Sequence, residues 1–160
     1  MRATLTEAIR SASRDQRLRY LAGALAYAVA LLHLFHPTLG FPRLVVYLRI
    51  GQPILDPRPL LFVLSAVAII VAVNLVWFGA PRKPMYVAGM AMMVVYLVGY
   101  VGWHFTGHGG FLPWRDPVFH EGIGPLENVV NHLAEDVWAL VAVTLELALL
   151  VVLSVLVSRD

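Results

Sequence analysis

Apolar residues along the chain fall into four long runs, separated by stretches rich in proline, glycine and charge. The runs predict helices at about 19–36, 59–78, 85–106 and 128–157. A helix that crosses a bilayer needs about 20 apolar residues at a rise of about 1.5 Å each, and the four runs are close to that length or exceed it. The sequence therefore predicts an all-α fold in one domain, an integral membrane four-helix transmembrane bundle with up-down-up-down topology.

The connections between these runs differ in character. The outer loop 37–58 contains apolar residues at helical spacing (Phe41, Leu44, Val45 and Leu48), which predicts a short interfacial helix between the first two membrane helices. The connection at 79–84 is a tight hairpin, whereas the outer loop 107–127 is long and rich in glycine and proline. Long loops of this kind often carry function.

The composition supports a membrane setting and excludes several kinds of chemistry. Hydrophobic residues make up 59% of the chain and charged residues 14%, whereas a soluble domain has about 25% charged residues. The absence of cysteine excludes disulfides, thiolate catalysis and sulfur-rich metal sites. The sequence contains no Ser-His-Asp spacing, P-loop or dinucleotide fingerprint of the kind that indicates an enzyme. The net charge of +2 is too small to predict nucleic-acid binding, so the expected partner is the lipid bilayer.

The distribution of basic residues predicts an orientation. The segment 1–18 is basic and has no apolar core, so it predicts a cytoplasmic tail and no cleavable signal peptide. Basic residues near helix ends number eight on the N-terminal side (Arg2, Arg10, Arg14, Arg17, Arg19, Arg82, Lys83, Arg159) and four on the other (Arg43, Arg49, Arg58, Arg115). The positive-inside rule then predicts a multi-pass cell-membrane protein with cytoplasmic N and C termini.

The six histidines carry the candidate chemistry. On the predicted topology all of them lie at or near the outer membrane face: His33, His36, His104, His108, His120 and His132. His33 and His36 are three residues apart and His104 and His108 four, so each pair shares a helix face, although Gly107 interrupts the second pair. His132, Glu135 and Asp136 lie on one side of the fourth helix.

Imidazole and carboxylate ligands without thiolate suit Zn²⁺, Cu²⁺ or non-haem iron. The candidate metal ligands are His33, His36, His104, His108, His132, Glu135 and Asp136, and the loop pair His120 and Glu121 could cap the site. Two alternatives stay open. The histidines can be ordinary interfacial residues with a polar tip in water, or His33 with His104 or His132 can ligate a b-type haem.

Two intramembrane polar residues, Glu146 and Asn74, form a second candidate feature. A carboxylate at the centre of a membrane helix costs about 2.5 kcal/mol or more, so Glu146 must face protein and be paired or protonated. The favoured interpretation is an interhelical hydrogen bond that fixes packing, and the alternative is a polar track through the bundle.

Three local features resemble small four-helix membrane proteins found in halophilic archaea. They are His33 and Leu34 closing the first helix, a hairpin with Pro81, Arg82 and Lys83, and an aromatic-histidine end to the third helix (Tyr100, Trp103, His104). The resemblance covers the first three helices and implies the membrane fold without implying an activity.

These observations predict a binding protein or small redox-associated subunit with a histidine and carboxylate metal site at the outer membrane face. The first alternative is a structural accessory subunit that has no cofactor and docks on a partner complex. The second is a haem- or quinone-associated protein. The expected protein partner is a partner membrane subunit or a second copy of the chain in a homo-oligomer.

Overall fold

The computed structural model describes residues 2–120 and 122–159, with side chains from residue 14 onward. This part of the chain forms six helices and no strand, which confirms the all-α prediction. The helices are α1 (Arg2–Leu34), α2 (Phe41–Arg49), α3 (Arg58–Trp77), α4 (Arg82–Phe105), α5 (Pro125–Glu135) and α6 (Val137–Val157). The predicted charge asymmetry counts Arg2 and Arg10, which precede the first side chain that the structure describes.

Three of the helices are long and apolar enough to cross a membrane. They are α3, α4 and α6, with mean hydropathies of 2.7, 1.7 and 2.8 over their best 18-residue windows. Only 11%, 11% and 22% of those windows is buried inside the protein, so most of their apolar surface faces outward. Within the described residues α1 does not join this group, because its apolar residues occupy only the second half of the helix, from Tyr20 onward.

The four long helices pack side by side with antiparallel neighbours. Ala22, Ala26 and Ala30 of α1 are buried in a core that also contains Leu149 and Leu153 of α6. Small side chains on α1 allow the two helix backbones to approach closely. Two contacts show that α1 and α6 are antiparallel. His33, near the C-terminal end of α1, meets Glu146 in the middle of α6, and Asp15, near the middle of α1, meets Arg159 just after α6. The C-terminal ends of α1 and α4 thus lie beside the N-terminal ends of α3 and α6.

The structure divides the predicted fourth helix into two. Asp136 has an extended conformation (φ −99°, ψ 103°) between α5 and α6, and its carboxylate accepts hydrogen bonds from the main-chain N–H groups of Trp138 and Ala139. This is the geometry of an N-cap, which supplies an acceptor to N–H groups that have no partner within the helix. The expectation that His132, Glu135 and Asp136 share one continuous helix face is therefore replaced by a bend at Asp136.

A short amphipathic helix lies between α1 and α3, where one was predicted. Helix α2 begins with a proline in its first turn and packs against α3, with Leu44 and Tyr47 buried. Phe41 and Leu48 are exposed on the same helix.

Candidate metal centre

Three histidines from separate segments meet where α4 ends beside α5. His104 lies in the last turn of α4, His108 follows in the loop, and His132 lies in the last turn of α5. One ring nitrogen from each lies within 4.8 Å of the others. The ring centroids are 4.7 Å apart for His108 and His132 and 4.8 Å apart for His104 and His132. We call these three residues the histidine triad.

The loop carries His108 into the triad through an unusual backbone conformation. Gly107 and Gly109 have positive φ angles of 68° and 92°, and His108 between them has a φ of 59°. A non-glycine residue seldom takes this left-handed conformation, and strain of this kind concentrates at functional sites. The helical spacing of His104 and His108 assumed from the sequence therefore does not apply, because the chain leaves α4 before His108.

The three rings are all held through the same nitrogen. Nδ1 of His104 lies 2.9 Å from the carbonyl oxygen of Tyr100, and Nδ1 of His132 lies 2.9 Å from that of Asn128. Nδ1 of His108 lies 3.1 Å from the carbonyl oxygen of Val118. A carbonyl oxygen can only accept, so each Nδ1 carries a hydrogen and donates it. In the neutral rings every Nε2 is consequently left with a free lone pair.

Two of these Nε2 atoms face each other at short range. Nε2 of His108 lies 3.0 Å from Nε2 of His132. Because both Nδ1 atoms are donors, two neutral rings would place one lone pair directly against the other. Only a proton or a metal ion between the two nitrogens makes this contact favourable. The triad thus has the fixed tautomers and the ring orientations that are typical of metal-ligating histidines.

Asn128 forms hydrogen bonds with two of the triad residues. Its side-chain amide donates to the carbonyl oxygen of His104 at 2.8 Å, while its own main-chain carbonyl accepts the Nδ1 hydrogen of His132. The side chain is buried, and its amide oxygen has no hydrogen-bond partner within the described part of the chain. Asn128 therefore fixes the distance between the end of α4 and α5, and with it the spacing of His104 and His132.

A cation–π arrangement packs against the loop that contains His108 and Gly109. The guanidinium of Arg58 stacks 3.7 Å from the centre of the Trp103 ring, and Arg115 approaches the same ring at 4.9 Å. Asp56 is buried and holds Arg58 through a 2.6 Å ion pair. A Cβ atom added to Gly109 would lie 2.6 Å from the Trp103 ring, so only glycine allows the loop to pass this close.

The electrostatic surroundings favour neutral imidazole in the loop. Burial lowers the pKa of His108, the hydrogen bond to Val118 partly opposes this, and His132, His120 and Arg58 lower the pKa further. Neutral imidazole is the form that binds metal ions.

His33, expected to be a metal ligand beside His104 and His132, has other partners. Its Nδ1 lies 2.9 Å from the carbonyl oxygen of Val29, and its Nε2 lies 3.3 Å from a carboxylate oxygen of Glu146. Its ring also stacks on Tyr96, with centroids 4.2 Å apart. Both nitrogens are thus engaged, and His33 is not a member of the triad. Within the described residues, the carboxylate of Glu146 has this α1 histidine as its polar partner.

His36 is oriented in the opposite way to the triad residues. Its Nδ1 accepts hydrogen bonds from the main-chain N–H groups of Thr38 (3.3 Å) and Leu39 (3.2 Å), so this nitrogen is unprotonated and its lone pair is occupied. The histidine closes the turn after α1. Burial lowers its pKa, although the nearby Asp136 opposes the shift.

The remaining predicted residues fall outside the triad. Glu135 is exposed, and Asp136 caps α6. Asn74, the other intramembrane polar residue, donates to the hydroxyl of Tyr27 at 3.0 Å, an interhelical hydrogen bond that joins α3 to α1. The ring of His120 lies 5.6 Å from those of His108 and His132, at the rim of the site. Glu121, the other expected cap, lies outside the described residues.

Sequence reasoning placed His104, His108 and His132 among the ligands but missed Asn128 as their support. The available signal was its position one turn before His132, which puts the two side chains on one face of α5. Comparisons with models of known families, with curated proteins and with solved structures find no match to this chain. The resemblance to archaeal four-helix membrane proteins therefore stays a prediction.

Proposed function

We propose that this protein is a small integral membrane protein that binds a divalent transition metal through His104, His108 and His132, as a metal-binding or redox-associated subunit. The observation that carries the proposal is the pair of facing Nε2 atoms, 3.0 Å apart, in rings whose Nδ1 atoms both donate to carbonyl groups. A metal ion between them satisfies both lone pairs and that of His104 at once.

The geometry suits a metal with three protein ligands and an open position. Zn–N bonds of about 2.0–2.1 Å place two ligands of a tetrahedral ion about 3.4 Å apart. The triad nitrogens lie within 4.8 Å of one another, so small ring rotations bring all three to bonding distance. Three imidazoles suit Zn²⁺, Cu²⁺ or non-haem iron. The open position is available to water, to His120 or to an exogenous ligand.

The membrane placement completes the proposal. The outward-facing apolar surfaces of α3, α4 and α6 require lipid, and the apolar half of α1 packs against α6 as the fourth spanning segment of an up-down-up-down bundle. In this arrangement α2 lies in the interface. The excess of basic residues near the N terminus, the 79–84 hairpin and the C terminus favours a cytoplasmic location for that end. The triad then lies at the outer face of the cell membrane.

Metal analysis of the purified protein tests the proposal. The detergent-solubilised protein is stripped with chelator, reloaded with Zn²⁺ or Co²⁺ and measured by elemental analysis and by the visible spectrum of Co²⁺. We expect about one ion per chain, lost in His132→Ala and retained in His36→Asn, which keeps an acceptor for the turn after α1. His120→Ala has a smaller effect, because its ring lies at the rim.

The two alternatives give different results in the same experiment. A colourless protein that takes up no metal favours the accessory subunit without cofactor. A haem spectrum would favour the b-type haem alternative, which requires His33 to release Glu146.

A further inference from the structure

A large cleft lies at the opposite end of the molecule from the triad. It has a volume of about 790 Å³, within the range of small-molecule sites, and side chains of α1, α3, α4 and α6 line it. The cleft exists because α3 and α4, although joined by a tight turn, pack mainly against other helices. Its inner end is apolar and reaches Ala26, Met93 and Leu149.

The rim of the cleft differs in chemistry from its interior. Polar, cationic and aromatic side chains line the end near the 79–84 hairpin: Gln16, Arg19, Tyr20, Trp77, Arg82 and Tyr86. Two arginines and three aromatic residues at the mouth of an apolar cleft match a molecule with an anionic headgroup and a hydrocarbon tail. Tyrosine and tryptophan also occupy the headgroup level of membranes.

Glycine and alanine create the space inside. Gly23 lines the cleft, and a Cβ atom added there would have no neighbour within 4 Å, so the position faces open volume. Gly89 on the opposite wall differs, because a Cβ atom there would lie 2.9 Å from Leu153. The cleft thus stays open along α1, the side from which a lipid chain can enter.

From these features we infer that the cleft binds one anionic phospholipid of the surrounding leaflet, with its phosphate between Arg19 and Arg82 and an acyl chain along Gly23. The inference rests on the membrane setting proposed above but not on the metal centre. An apolar cleft open to a bilayer fills with hydrocarbon, and the two guanidinium groups select among headgroups by charge.

Native mass spectrometry of the full-length protein tests the inference. The protein is released from detergent that contains phosphatidylglycerol or phosphatidylcholine with identical acyl chains. We expect one retained phosphatidylglycerol and weaker retention of phosphatidylcholine. Gly23→Leu adds a side chain inside the cleft, where its Cβ atom meets no neighbour within 4 Å, and should remove both lipids. Gly99→Leu also places its Cβ atom in open space, but on a surface of α4 away from the cleft, and should retain them. Arg82→Gln lowers phosphatidylglycerol affinity about fivefold, and Lys83→Gln, outside the cleft lining, does not.

Several outcomes overturn the inference. One is that the protein retains the two lipids equally, and another is that Gly23→Leu retains them as the wild type does. The inference also fails if the bound molecule is a neutral isoprenoid, or if a second copy of the protein fills the cleft in a dimer. Circular dichroism and metal uptake of Gly23→Leu, measured in parallel, separate loss of the cleft from loss of the fold. Unchanged metal uptake with no lipid retained contradicts the lipid site alone.

Discussion

The side chains of His108 and His132 point their Nε2 atoms at each other across 3.0 Å, while each Nδ1 donates to a main-chain carbonyl. The two residues come from a loop and a helix that are 24 positions apart in the sequence. Main-chain hydrogen bonds thus fix the orientation of both rings. The consequences for stability and metal binding can be separated by mutation.

Replacing His108 by glycine should stabilise the metal-free protein while reducing metal binding. His108 has a φ of 59°, which glycine adopts without strain, so we expect a gain of about 1 kcal/mol in the free energy of unfolding. Thermal unfolding in detergent, with and without Zn²⁺, measures both effects. The matched variant His132→Gly places glycine inside α5 and should lose stability. A loss of metal-free stability in His108→Gly would contradict the strain argument.

Asn128 is expected to act as a positioning residue. Its amide holds the carbonyl group of His104, and its own carbonyl holds the His132 ring, so Asn128→Ala should lower metal affinity about 10- to 100-fold. Competition with a chromophoric chelator measures the affinity. Asn131→Ala, on the same helix but outside this network, serves as the control and should bind as the wild type does. Equal affinities in the two variants would refute the role of Asn128.

The pair formed by His33 and Glu146 should be structural. Nδ1 of His33 lies against the carbonyl oxygen of Val29, and its Nε2 lies 3.3 Å from a carboxylate oxygen of Glu146, so the pair joins α1 to α6. Glu146→Gln keeps a donor for Nε2 and should retain stability. Glu146→Ala leaves the buried ring nitrogen unpaired and should lose on the order of 1–3 kcal/mol. Metal content should be unchanged in both variants. Loss of metal in Glu146→Gln would instead connect the pair to the metal centre.

Asp56 should make stability depend on acidic pH. Burial by itself would raise the pKa of Asp56, but the hydrogen bonds and charge of Arg58 outweigh it, so the pKa lies below the ordinary 3.8. A carboxylate with a lowered folded pKa stabilises the fold above 3.8 and loses that contribution as the pH falls through the folded value. The difference in melting temperature between wild type and Asp56→Asn should therefore be constant near neutrality and shrink below pH 3.8. Asp116→Asn, at an exposed loop position, removes one carboxylate elsewhere in the chain and serves as the control.

The helices were predictable from sequence because an apolar run of this length has few structural alternatives to a helix. The break at Asp136 was not predicted, because one helix was assigned from Val129 to Val157 although polar residues interrupt the apolar run up to Asp136. An aspartate directly before an apolar run is a signal for a helix start, and the capping hydrogen bonds to Trp138 and Ala139 show that Asp136 begins α6.

The site was predictable in part for a related reason. Topology alone brought the histidines to one end of the molecule, but spacing could not show which of them meet. His33 pairs with Glu146, 113 residues away in sequence, and His36 caps its own turn. Those partners depend on tertiary packing, as does the left-handed conformation that brings His108 to His132.

The number of metal ions bound per chain tests the central claim most directly. It is compared between the wild type and the double variant His108→Ala, His132→Ala, which lacks the facing pair. Isothermal titration of the chelator-stripped protein with Zn²⁺ should give one tight site per chain in the wild type and none in the double variant. His36→Asn should bind like the wild type. Failure of the folded wild type to bind Zn²⁺, Co²⁺ or Cu²⁺, or undiminished binding in the double variant, would contradict a metal centre on the histidine triad.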